Sequence, residues 1–166
     1  MPRPTRRIVT GHDLDGHANI QHDTELQFQE IPGMPGAFAA PLWVSNGLPT
    51  TDNNIDEDGA LRPVDGIVHR GGTNFRATDL GPGKMTPMHR TNSLDYNILL
   101  EGELELIMED GSRTHLKAPG DSVVMRGGMH AWRNPSDSVW TRWTTVIIPA
   151  EPVVVADRIL AAETKD

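Results

Sequence analysis

The chain has 166 residues, a formal net charge of −8 and no cysteine. That length suits one domain with a real core. The absence of cysteine excludes disulfides and thiolate metal sites. A binding face for nucleic acid or anionic membrane needs clustered Lys and Arg, and the sole basic group is Arg3, Arg6 and Arg7, which reads as a solvated tail.

Hydrophobic residues make up 37% and charged residues 23%, an ordinary globular balance. The 16 Gly and 13 Pro are spread along the chain and few long helical patterns occur. That distribution points to an all-β architecture. No apolar run approaches a membrane span and the N-terminus lacks a signal-type apolar core, so the expected location is cytoplasmic.

In chain order, residues 1–65 read as N-terminal strands and a loop, 66–150 as a barrel, and 151–166 as a C-terminal segment of the same domain. Arg7–Thr10 forms a first short strand, with a turn over Gly11–Gly16. Leu26–Gln29 alternates as a half-buried strand does. His12, His17 and His22 recur every five residues, which fits no single face, and they read as surface histidines. Ala37–Val44 is a strand interrupted by Pro41, hence an edge strand or two pieces. The acidic stretch Thr51–Gly59 lacks calcium-loop spacing and reads as a solvated loop.

From Ile67 onward, strand follows strand. Ile67–Arg70, Thr73–Leu80, Asp95–Leu100, Glu103–Met108, Arg113–Leu116, Ser122–Arg126 and Val139–Ile148 alternate with turn residues. Asp110-Gly111 marks a hairpin. The spacing predicts a sandwich or barrel. Pro152–Ala162 reads as a short strand followed by a short helix.

Strand side chains alternate between faces. His89 then shares a face with Thr91, Asp95 with Asn97 and Leu99, and His130 with Trp132 and Asn134. If these faces line a barrel, His89, Asp95 and His130 converge. Two neutral imidazoles and a carboxylate suit a divalent transition metal such as Fe, Mn, Zn or Ni. Asn97 is placed to bind substrate or orient a ligand, Thr91 and Trp132 to wall a pocket, and His69 to move a proton. Tyr96 should face away. Arg76, Arg90 and Arg126 are candidates to contact a carboxylate, although Arg90 and Arg126 alternate to the outside.

Two stretches resemble the paired motifs of the cupin superfamily. Gly83, His89, Thr91, Asp95 and Gly102 follow the first motif, Gly-x5-His-x-His-x3/4-Glu-x6-Gly, with Thr91 in place of its second histidine and Asp95 in place of its glutamate. Gly120, Gly127, His130 and Asn134 follow the second, with Met125 in place of a proline and Gly120 one residue nearer to Gly127. The resemblance covers residues 73–148. It implies a jelly-roll cupin barrel, or double-stranded β-helix, with N-terminal strands wrapped on it and a homodimer. It also implies metal ligation by His89, Asp95 and His130. The activity this implies is a metal-dependent lyase, decarboxylase or isomerase acting on a carbonyl or carboxylate substrate. The alternatives are an Fe(II) dioxygenase and a non-catalytic small-molecule-binding cupin.

Overall fold

A computed structural model describes residues 4–165. Fifteen strands run through it: β1 Arg6–His12, β2 Ala18–Glu25, β3 Gln29–Glu30, β4 Ala37–Asn46, β5 Gly72–Leu80, β6 Met88–Arg90, β7 Ser93–Glu101, β8 Leu104–Met108, β9 Arg113–Leu116, β10 Ser122–Arg126, β11 His130–Arg133, β12 Thr141–Pro149, β13 Val153–Val155, β14 Arg158–Leu160 and β15 Glu163–Lys165. A six-stranded sheet in the order β10-β7-β12-β5-β4-β3 faces a five-stranded sheet in the order β15-β6-β11-β8-β9. The pairings are antiparallel throughout. The fold is the all-β barrel that the alternation anticipates. Among the described residues no helix is long and apolar enough to cross a membrane.

The inner face of the large sheet changes character along its length. Leu80, Leu99 and Trp143 pack with Leu104, Leu106, Leu116 and Met125 from the other strands into a buried apolar plug. Further along the same strands, Asp95, Asn97, Thr145 and Asn74 are buried too, and all four are polar. The apolar end supplies the burial that drives folding. The polar end leaves groups that need partners.

Glycine is required at two motif positions. Gly102 has φ 73°, and a Cβ there would meet Trp140 O at 2.4 Å. Gly127 has φ 63°, with the Val153 methyl 2.8 Å from where its Cβ would sit. Only glycine adopts such a conformation without steric cost.

The N-terminal region departs from expectation. β1 continues to His12, and β2 spans residues that carried no strand signal, while Leu26–Phe28 is irregular. The arginines are not a solvated tail. Arg6 pairs with Asp23, and Arg7 is buried, with its guanidinium forked onto Asp58 at 2.7 and 2.5 Å; Arg3 lies outside the described residues. The acidic stretch is likewise an ion-pair clasp rather than a solvated loop. Asp52 accepts from Trp43 Nε1 at 2.7 Å and from Arg62, which also reaches Glu57. His12 and His17 are exposed as expected, but His22 is half-buried beside Asp58. Pro41 sits where the β4–β5 register shifts, beyond the reach of the two-residue β3, so it costs no ladder hydrogen bond on that side.

The C-terminal helix is absent. β13 and β14 form a hairpin whose turn residues, Ala156 (φ 47°) and Asp157 (φ 66°), both adopt positive φ, the conformation a two-residue hairpin demands. Val153–Val155 and Arg158–Leu160 pair across it, because β-branched residues favour strand over a helix too short to nucleate. β15 then adds to the edge of β6, with Thr164 opposite His89. Ile67–Arg70 is a loop, not a strand.

Candidate functional site

β6 and β11 pair so that His89 and His130 are directly opposite, with ring centroids 4.4 Å apart. Each imidazole is oriented by the backbone two residues earlier. His89 Nδ1–H donates to Pro87 O at 2.9 Å, and His130 Nδ1–H donates to Gly128 O at 2.9 Å. A carbonyl only accepts, so in both neutral rings Nε2 carries the free lone pair. Carbonyl locking of the second nitrogen is what orients histidines that ligate metals. His130 is 2% exposed. Burial, followed by the neighbouring His89, lowers its pKa to about 4, which keeps it a neutral donor. Trp132 stands edge-on to His130 at 5.6 Å and contacts Trp143 at 6.0 Å.

Asp95 enters from β7 on the opposite sheet. It is buried, and its Oδ1 has no hydrogen-bond partner. Burial raises its pKa to about 6, against the lowering effect of a Ser93 hydrogen bond. Asn97, two residues along, accepts a hydrogen bond from Thr145 Oγ1 at 2.8 Å, and its Nδ2 is without a partner. Thr91 Oγ1 is bonded to Ser93 Oγ at 2.7 Å. A cavity of about 340 Å³ joins these groups, with His89, Asp95, Asn97, Thr91, His130 and Trp132 all on its wall. That volume lies at the small end of ligand pockets. A wider groove of about 1010 Å³ runs between β1 and β4, and none of these residues reaches it.

The structure therefore brings the two histidines together and sets Asp95 in the same cavity. The three are not drawn into one compact set. Among the described residues, the only three His or carboxylate groups with ligand atoms all within 4.8 Å are Asp13, Asp15 and His17. That cluster is exposed, and Asp13 Oδ1 there accepts the backbone N–H groups of Asp15 and His17, as a turn requires. The donor chemistry of the cavity nonetheless fits a divalent ion: two free Nε2 atoms and one orphaned carboxylate oxygen.

Two expectations are corrected. His69 does not reach the cavity. It sits in the loop before β5, and its Nε2 bonds Asn46 Oδ1 at 2.8 Å, which removes it from the proton-transfer role. Arg90 is not an outer residue. It is 9% exposed, lies on the cavity wall and faces Glu109 at 3.7 Å, because β15 covers the edge that alternation alone would leave open. Arg126 is exposed, and Tyr96 points outward as expected. Asn134 is fully buried and structural. Its Nδ2 donates to Leu80 O and Val139 O at 2.9 and 2.8 Å, tying the β11 end to the opposite sheet.

Comparison with known proteins agrees with this geometry. A cupin domain family model matches residues 77–147. Over 98% of its length the chain is 32% identical to phomopsin biosynthesis cluster protein D of Diaporthe leptostromiformis, covering 87% of that protein. This chain is a cupin. A second relative of the cupin, at 32% identity over 90% of this chain and 76% of its own, is the cupin-domain-containing oxidoreductase srdB of Neurospora crassa. Among solved structures, the polyketide cyclase RemF from Streptomyces resistomycificus superposes with a TM-score of 0.54 at 13% identity, covering 84% of this cupin and 79% of that chain. At that identity the likeness is one of fold.

Proposed function

We propose that this cupin is an enzyme for a small organic substrate, holding a divalent transition metal on His89 and His130 with Asp95 as third donor. The observation that carries the reading is the pair of facing imidazoles whose Nδ1 atoms are both held by backbone carbonyls, beside a buried carboxylate oxygen with no partner. Bound there, the ion supplies Lewis-acid polarisation of a substrate carbonyl, enol or carboxylate oxygen. The chain's own groups do the rest. Trp132 and Trp143 wall off water, and Asn97 Nδ2, with its amide fixed by Thr145, offers a hydrogen bond to a substrate oxygen. Decarboxylation, dehydration and isomerisation are the reactions that suit such a site.

A second reading is oxidative, with Fe(II) and dioxygen, since two histidines and a carboxylate are the donors of non-haem iron oxygenases. It is favoured by one observation: several relatives are named as cupin-domain-containing oxidoreductases. The homodimer belongs to the same proposal. Tyr96, Ile98, Leu100 and Val124 form an exposed apolar row on the outer face of the large sheet, which supports association of two copies.

The test is metal content by mass spectrometry on untagged protein, with His130→Ala alongside. One equivalent of a transition metal, lost in the variant, is expected. Oxygen uptake after Fe(II) loading then separates the two readings. No metal, even after anaerobic loading with Fe(II), Mn, Zn and Ni, overturns both in favour of a non-catalytic binding barrel.

A further inference from the structure

Among the described residues, four arginines of this barrel are buried, and all four are paired with carboxylates. Arg7 is forked onto Asp58, Arg62 onto Asp52 and Glu57, and Arg142 onto Asp79, while Arg90 faces Glu109. A further arginine, Arg76, lies with Arg90 on the wall of the cavity that contains His89 and His130. No described residue gives it a hydrogen bond or an ion pair. Desolvation alone acts on it, lowering its pKa, and no neighbouring acid offsets that effect. Arg76 is half-buried, and proteins normally pair a guanidinium that is partly withdrawn from water.

The register places Arg76 in a row with two other polar side chains. Arg76 on β5 is opposite Thr145 on β12, and Thr145 is opposite Asn97 on β7. Adjacent strands lie about 4.8 Å apart, so the row spans about 10 Å between backbones. The Thr145 hydroxyl donates to Asn97 Oδ1, which leaves the Asn97 amide nitrogen, itself buried, as an orphan donor. Two donor groups with nothing to donate to therefore face one cavity. The rest of the wall includes Ile31, Met34, Ile67, Trp143 and Ile147, which is apolar.

We propose that Arg76 and Asn97 Nδ2 form an anion subsite that anchors the carboxylate of a small, largely apolar organic acid. The body of that acid lies along Trp132 and Trp143 and extends towards His89 and His130. This deepens the cavity reading above by naming the substrate class. The planar guanidinium presents paired N–H groups that match a carboxylate, which a lysine does not. The ligand would supply the counter-charge that the fold omits.

The experiment uses full-length protein stripped of metal with a chelator and then desalted, so that no ion competes for the carboxylate. Binding of benzoate, phenylacetate and phenylpyruvate is measured by calorimetry against the neutral amide of each. The wild type should bind at least one acid tenfold or more tightly than its amide. Arg76→Met should abolish that preference with amide affinity unchanged, and Arg76→Lys should keep only part of it. Equal affinity for acid and amide in the wild type, or no acid bound at millimolar concentration, overturns the proposal without needing any variant to fold. An unchanged preference in folded Arg76→Met overturns it as well. Metal content of Arg76→Met should equal that of the wild type. Absence of metal from both would count against the metal reading and leave the anion subsite standing on its own result.

Discussion

The ion pair between Asp79 and Arg142 offers a direct test of how the barrel is held. The two residues are opposite each other on β5 and β12, and their side chains are 0% and 3% exposed. Arg142 Nε and Nη2 donate to Asp79 Oδ1 and Oδ2, both at 2.6 Å, while its guanidinium lies 4.4 Å from the Phe28 ring centroid and contacts Thr5. Removing the carboxylate in Asp79→Ala takes the bidentate acceptor from a buried guanidinium, which costs roughly 3 kcal/mol. For a chain of this size each kcal/mol lowers Tm by about 2–4 °C, so a fall of about 10 °C is expected. Replacing both partners, in Asp79→Ala/Arg142→Met, removes the buried charge as well and should recover part of the loss. Urea unfolding of wild type, both single variants and the double variant closes the cycle, with an expected coupling of about 3 kcal/mol. If Asp79→Ala costs under about 1 kcal/mol, or the double variant equals the sum of the singles, the pair does not act as a unit and this reasoning fails.

Two further outcomes follow from the site and the turns. In metal-free protein, His130 with its pKa lowered to about 4 penalises folding increasingly as pH falls from about 6.5 to 4, because the unfolded chain takes the proton first, so stability rises with pH across that window. Asp95, raised to about 6, acts the opposite way, its contribution being lost as pH rises from about 4 to 6. Each shift is worth about 3 kcal/mol and they offset. Asp95→Asn should therefore show a melting temperature that climbs with pH across this window more steeply than the wild type's, and parallel curves would refute the assignment. Gly72→Ala should fold poorly or not at all, since its Cβ would meet Ser45 O at 1.9 Å; an unchanged thermal melt would contradict the close β4–β5 approach.

Most of the barrel was legible because strand alternation reports burial directly. From Ser93 to Glu101 the period of two is right, but the buried set is Ser93, Asp95, Asn97 and Leu99 while Tyr96, Ile98 and Leu100 face out, so the inward face was legible from the motif residues and not from hydrophobicity. The facing of His89 and His130 was legible from motif spacing. Other features depend on partners remote in sequence. Nothing local distinguishes Arg76, which has no carboxylate, from Arg142, which has one, because Asp79 meets Arg142 only through strand register. Arg90 looked external because alternation cannot foresee that β15 returns to cover it. The C-terminal hairpin was hidden by Arg158–Ala162, a run of good helix formers overruled by the positive-φ turn before it. His69 looked available because Ile67–Arg70 reads as a strand, whereas the segment is a loop in which His69 bonds Asn46, a partner remote in sequence.

The return of β15 has an implication for how such barrels diverge. Thr164 reaches the cavity wall from the last few residues of the chain, pinned by β6 pairing and by Lys165 on Glu109 at 2.6 Å. A strand displaced by one residue presents the opposite set of side chains. One insertion at Ala161-Ala162 would thus exchange what the tail offers at the mouth and leave both histidines where they stand. What the cavity mouth presents is therefore set by the register of one edge strand, which can change without straining the walls.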